Sequence, residues 1–263
     1  MTGATGHAPV APDPPRHLVG ASLASAAGSL PTHLIPLTIT AVVAGNSVSA
    51  ETAGWIASAM LIGQLLSSVA LPLFGVASIS RLWSAAASLA LLAGLILSGA
   101  GGVPSLLAGW FIVGLCCGVL LFLGTVSAAG YARPALAFSL RLGVVLVLAG
   151  ACTALIQLTG AAATYGTYLL WLAVAFAAVL AVGNGLYAPA VQAAPVSGTG
   201  EPGRFTVKMA AGLVAAFILF VGQTGLVAYV LFSAVERGIE LEGASWTFAA
   251  GKVGAGLWLI AAS

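Results

Sequence analysis

Long apolar stretches recur along the whole chain, each divided from the next by a short run of charged, proline or glycine residues. They cover residues 18–43, 53–76, 84–100, 104–130, 138–158, 165–187, 209–234 and 247–263. An α-helix needs roughly 20 mostly apolar residues to cross the hydrocarbon of a bilayer. Strands of a membrane barrel would be shorter and would alternate polar with apolar residues, which these stretches do not. The pattern predicts an all-α, polytopic helical membrane protein with eight spans.

Within that pattern lies a repeat. Glu51, Trp55, Ala59 and Gly63 stand four residues apart, and 191 positions later Glu242, Trp246, Ala250 and Gly254 keep the same spacing. Ala53 falls on Ala244 and Leu66 on Leu257, and the apolar runs opening at Leu18 and Met209 align without a gap. Residues four apart share one helix face. A period this long is no solenoid repeat, which would be about 20–50 residues. It predicts one large unit followed by the opening of a second copy.

Composition and charge sharpen this. The chain is 60% hydrophobic and 5% charged, far from the roughly 25% charged residues of a soluble domain. The connections at 77–83, 131–137 and 188–208, with the N-terminal tail, hold Arg16, Arg81, Arg133, Arg204 and Lys208. The opposite connections hold Glu51, Glu236, Glu240 and Glu242, with Arg237 their only base. Lys and Arg mark the cytoplasmic side, so the N-terminus is expected there, with every span alternating. Residues 1–17, with four prolines and two glycines, read as a disordered cytoplasmic tail. The apolar run after Arg16 is too long for a signal peptide. Residues 188–208, rich in Pro, Gly, Ala and Ser, read as a flexible cytoplasmic linker between an N-terminal bundle (18–187) and the start of a C-terminal one (209–263). Six spans precede the linker, so both copies enter the membrane in the same direction. Cys116, Cys117 and Cys152 all lie within spans and read as small apolar filler.

Three stretches carry a family resemblance: AETAGWIASAMLIGQL (50–65), the GLCCG of the fourth span (114–118), and the long central loop. The segment from Gly225 through Gly256 resembles a seventh and eighth helix. In these features the chain resembles the major facilitator superfamily, whose two six-helix halves are parallel repeats about an axis along the membrane normal. The resemblance implies a six-helix bundle plus two further helices. It also implies movement of a small solute by alternating access, outward across a bacterial plasma membrane, with the lipid bilayer as the other partner. The family's remaining helices would come from self-association or another chain, if this one is not a truncated product.

Several departures from the family pattern bear on coupling. Between spans two and three, LPLFGVASISRLW (71–83) keeps Arg81 but has no acidic residue. Trp110 stands where the family's fourth helix carries an arginine. The fifth span reads Gly150-Ala151-Cys152-Thr153-Ala154 in place of a GPxxGG run. Proton-driven drug antiport is therefore not expected. The alternative, from another functional class, is a non-transporting membrane module: a scaffold, a subunit or an inactive fragment.

His33 is the sharpest candidate site residue, a mid-span ionisable group between Pro31 and Pro36. Such groups mark substrate contacts or proton relays, and the prolines should free backbone carbonyls that could line a cavity. A neutral imidazole bonded to a neighbouring helix is the structural alternative. The repeat maps His33 onto Thr224, so Gln223, Thr224 and Tyr229 of the seventh span would complete a substrate-binding wall, with Gln157 of the fifth. Gln64, Gln157 and Asn184 are equally readable as interhelical hydrogen-bond partners worth about 0.6 kcal/mol each. Arg141 reads as a snorkelling side chain. Lys252 reads as half of an external ion-pair gate with Glu51 or Glu242, or as another snorkelling residue. Ala59 with Gly63, Gly114 with Gly118, and Ala250 with Gly254 are small-xxx-small faces that favour helix packing. There is no HExxH, phosphate loop or Cys/His metal cluster and no basic stripe for nucleic acid, so neither an enzyme nor a cofactor site is expected.

Overall fold

The structure, a computed structural model, describes residues 15–46, 48–73, 78–129, 131, 133–160, 164–186, 190–192 and 237–262. The expected seventh span, with Gln223, Thr224 and Tyr229, lies outside the described residues, as do residues 1–14 and most of the linker. The described helices are α1 (Pro15–His33), α2 (Ile35–Asn46), α3 (Ala50–Leu73), α4 (Arg81–Ser98), α5 (Val103–Ala129), α6 (Pro134–Leu158), α7 (Tyr165–Leu186) and α8 (Leu241–Ala261). Among the described residues the protein is all-helical apart from one short ribbon.

Four of these helices, α3, α5, α6 and α7, are long and apolar enough to cross a membrane, and α1 with α2 adds a fifth if the bent pair is one span. Large apolar side chains such as Leu89, Ile96, Leu170 and Trp258 lie exposed on the outside. In water that surface would be costly; against lipid it is not. The fold is that of a membrane-embedded protein. α4 is a shorter apolar helix. α8 falls below the same apolar level, because Glu242, Lys252 and four glycines interrupt it.

The first span is not one straight helix. α1 and α2 meet at Leu34 with a bend of 53°. Pro36 has no N–H to offer the carbonyl of Thr32, and the ring at Pro31 removes another bond one turn earlier. The break is held by Leu34 N–H donating to the Leu30 and Pro31 carbonyls and Thr38 N–H donating to that of Leu34.

α5 is the central helix: 56% of its apolar window is buried, against 22–28% for α3, α6 and α7. It packs on α1, α3 and α4, while α7 lies against α1 and α4. Small residues set the spacing. A methyl group at Gly63 would strike the backbone of Phe111 and Leu115, and one at Gly114 or Gly118 would strike that of Met60 or Gln64. α3 and α5 therefore touch backbone to backbone, as TM interfaces built on small residues do.

α8 begins six residues before the apolar run that predicted it. Its first turn holds Glu242, where the positive end of the helix dipole favours an acid, and hydropathy alone does not register such a turn. The linker also departs from the expected wholly irregular course. Ala190–Gln192 pairs antiparallel with Ser78–Ser80, Ile79 opposite Val191, so the segment after α7 is tied to the α3–α4 connection by strand hydrogen bonds.

Candidate functional site

The broken first span and α8 meet at one contact. The ammonium of Lys252 donates to the backbone carbonyl of His33, 2.8 Å away, and lies 3.9 Å from the centroid of the Phe248 ring. A helix bent at proline supplies such a carbonyl, and a cation takes it together with an aromatic face. Lys252 is only 8% exposed. It stands eleven residues into α8, about 16 Å along a helix of about 31 Å, which is half-way. The His33 imidazole itself is half-buried and has no hydrogen-bonding partner among the described residues. Beside it Thr32 donates to the Gln64 side-chain oxygen at 3.0 Å, joining α1 to α3.

α8 reaches this point by packing along α6. Ser245, Ala249, Lys252 and Gly256 are its buried positions, and their spacing of four, three and four is one helix face. A methyl group at Gly256 would lie 2.7 Å from the Gly143 carbonyl oxygen, and one at Gly150 would lie 2.8 Å from that of Ala249. Continuing this antiparallel register brings Gln157 within about one turn of Ser245. Both carry a buried polar atom, the Gln157 amide nitrogen and the Ser245 hydroxyl, with no partner among the described residues. The α6–α8 seam thus holds polar groups at two levels.

A second polar cluster ties the bundle together at the end where α4 meets α5. Trp110 donates its indole N–H to the Tyr165 hydroxyl at 2.9 Å, Tyr165 donates to Ser98 at 3.1 Å, and Ser98 donates to the Leu95 carbonyl at 2.7 Å. One turn away Tyr168 and Thr38 are 2.6 Å apart, and Thr38 donates to the Leu34 carbonyl at 3.1 Å. These groups are buried and belong to α2, α4, α5 and α7. Sequence reasoning noted only that Trp110 replaces an arginine. The signal available was the set of aromatics with polar tips, which seek a partner when buried.

Several expected roles change. Lys252 does not snorkel and pairs with neither Glu51 nor Glu242, which are exposed in the first turns of α3 and α8. Glu242 is ten residues from Lys252, about 15 Å along the axis, and the ammonium bonds His33 instead. Arg141 does not simply snorkel either; its guanidinium Nε donates to Ser25 on α1, and the group lies 5.9 Å from the Phe138 ring centroid. Asn184 donates to Ser88 on α4 at 3.2 Å. Gly63, Gly114 and Gly118 lie in the α3–α5 interface. Ala59 is only partly buried there. Ala250 and Gly254 are exposed, and nothing among the described residues would meet a methyl group at Gly254 within 4 Å. Gly256, two residues on, packs instead, because α8 turns a different face to α6 than α3 turns to α5.

Among the described residues no group of three His, Cys, Asp or Glu could hold a metal ion. Comparison with protein-family models, curated proteins and solved structures finds no match to this chain. The functional argument therefore rests on its own residues.

Proposed function

We propose that the chain is a secondary transporter of the major facilitator type, moving a small solute by alternating access. The observation that carries the reading is the Lys252–His33 contact. A buried ammonium from the repeat's second copy meets the broken first helix of the first copy, half-way along both. In transporters built from repeats, solute sites lie near the bilayer midplane at the repeat interface, where discontinuous helices supply free backbone groups. A charged group at that depth is costly unless it serves a pathway. The 191-residue repeat and the charge alternation of the connections support parallel halves and an N-terminus in the cytoplasm; a bacterial plasma membrane is the site that the resemblance favours. Efflux is the direction the resemblance favours.

The test is reconstitution. Purified protein in proteoliposomes should accumulate or release some member of a small-solute library above empty vesicles. Spin labels at Gly101 and Gly238, paired in one variant, and at Ser78 and Ala262 in another, each pair spanning the two repeat copies, should show two distance populations in opposite ratio. Transport no faster than in empty vesicles, with a single population at both ends, would sink the proposal in favour of a non-transporting membrane module.

A further inference from the structure

The closest backbone contacts of α8 with the first copy are grouped at one level. A methyl group at Gly143 of α6 would lie 2.9 Å from the Gly256 carbonyl oxygen, and one at Gly150 would lie 2.8 Å from that of Ala249. The seam is closed there. Lys252 stands between these two contacts, three residues after Ala249 and four before Gly256. From this position its ammonium donates to the His33 carbonyl at the break of the first span, 2.8 Å away. All three contacts fall within a stretch of about 10 Å along the axis, in the middle of α8. One is a charged hydrogen bond to α1, and the other two are backbone contacts with α6.

Two bundles that rock against each other move most at their ends and least at the axis of rotation. A rigid-body rotation of about 15° carries an end of α8, about 15 Å from its middle, by about 4 Å, and a point about 2 Å from the axis by about 0.5 Å. An N–H···O bond tolerates only the smaller shift, because its length spans about 2.7–3.2 Å. The flexible stem of a lysine absorbs a displacement of that size. Breaking the bond in every cycle would leave a buried charge without its acceptor, which is strongly unfavourable. Glycines facing a backbone present no interlocking side chains, so one helix can tilt on the other at that level. We infer that the Lys252–His33 bond and the glycine contacts beside it form the pivot on which the second copy turns against the first, the bond staying made in both states. The break of the first span then lies at the pivot, and the ends of the bundle are where access opens and closes. This inference rests on the alternating-access reading for the motion, whereas the persistence of the bond is measured by itself.

The experiment exploits the scarcity of lysine. It occurs only at 208 and 252, so Lys208→Arg leaves Lys252 as the single lysine without touching the contact. The full chain with this change, isotope-labelled at lysine Nζ and at the histidine carbonyl carbons, is reconstituted in bilayers. Rotational-echo double resonance then reads the distance from nitrogen to carbonyl carbon. It should be at most about 4 Å, the 2.8 Å bond plus the C=O length. The spin-label pairs Gly101–Gly238 and Ser78–Ala262 give the ratio of the two states, under buffer conditions at which both are well populated. A retained pivot shows two populations at the ends and complete dephasing of Lys252, unchanged when the ratio is shifted. Dephasing in only the fraction of molecules that occupy one state would overturn the pivot and make the contact a latch of that state, with transport untouched. Absence of dephasing would overturn it as well, because the bond would then not exist in the bilayer. A single population at both ends, with transport no faster than in empty vesicles, sinks the transport reading and the pivot with it, even where dephasing is complete.

Discussion

Tyr165→Phe isolates one oxygen atom in the buried clasp between α4, α5 and α7. In the native chain the hydroxyl accepts from the Trp110 indole and donates to Ser98, which passes its own proton to the Leu95 carbonyl. Removing it leaves the indole N–H of a residue 1% exposed with no acceptor, and a stranded buried donor costs about 1–3 kcal/mol. Tyr168→Phe is the control. Thr38 already spends its hydroxyl proton on the Leu34 carbonyl, so Tyr168 is the donor to Thr38, and its removal strands no N–H or O–H. That loss should be near the average interhelical hydrogen bond in a membrane, about 0.6 kcal/mol. The assay is folded fraction against SDS mole fraction in mixed micelles, followed by ellipticity and by tryptophan emission. A double cycle with Trp110→Phe cancels the cavity left by the smaller ring and should return a coupling of at least about 0.5 kcal/mol. If Tyr165→Phe costs no more than Tyr168→Phe and the cycle is additive, the clasp is not what holds that end of the bundle together.

Other outcomes follow from the same contacts. Gly256→Ala should destabilise by about 1–3 kcal/mol, because its methyl meets the Gly143 backbone in a packed interface. Gly254→Ala should be neutral or stabilise by up to about 1 kcal/mol, the helix-propensity gain on an open face; the same SDS titration compares them, and equal effects would refute the assigned α8 face. Pro36→Ala restores an N–H for the Thr32 carbonyl and should reduce the 53° bend, seen as a changed distance between spin labels at the exposed Val19 and Ala44, with slower transport. His33→Ala leaves the carbonyl that Lys252 uses, so cross-linking between introduced cysteines on α1 and α8 should persist while any imidazole-dependent transport is lost. Persisting transport would assign His33 to structure alone.

How much of this was legible beforehand varies by residue. The kink is written in Pro31 and Pro36, since a missing N–H acts within one turn whatever surrounds it. The close approach at Gly63, Gly114 and Gly118 is equally local in origin, as small residues four apart make a smooth helix face. The same reasoning applied to Ala250 and Gly254 chose the wrong face of α8. The repeat preserves spacing along a helix, but the partner helix decides which face is covered. α3 packs on α5, and α8 packs on α6.

Sequence alone determined that the chain is helical and membrane-embedded, because desolvating a backbone in lipid leaves few other choices and apolar length is readable residue by residue. It also placed the polar interruptions at His33, Gln157 and Lys252. Only the tertiary structure decided what each of them meets. Lys252 lies 219 positions from the carbonyl it bonds, Trp110 lies 55 from Tyr165, and Arg141 lies 116 from Ser25. Hydropathy and periodicity are properties of a short window, and such pairings depend on which helices become neighbours and on how each is turned about its axis.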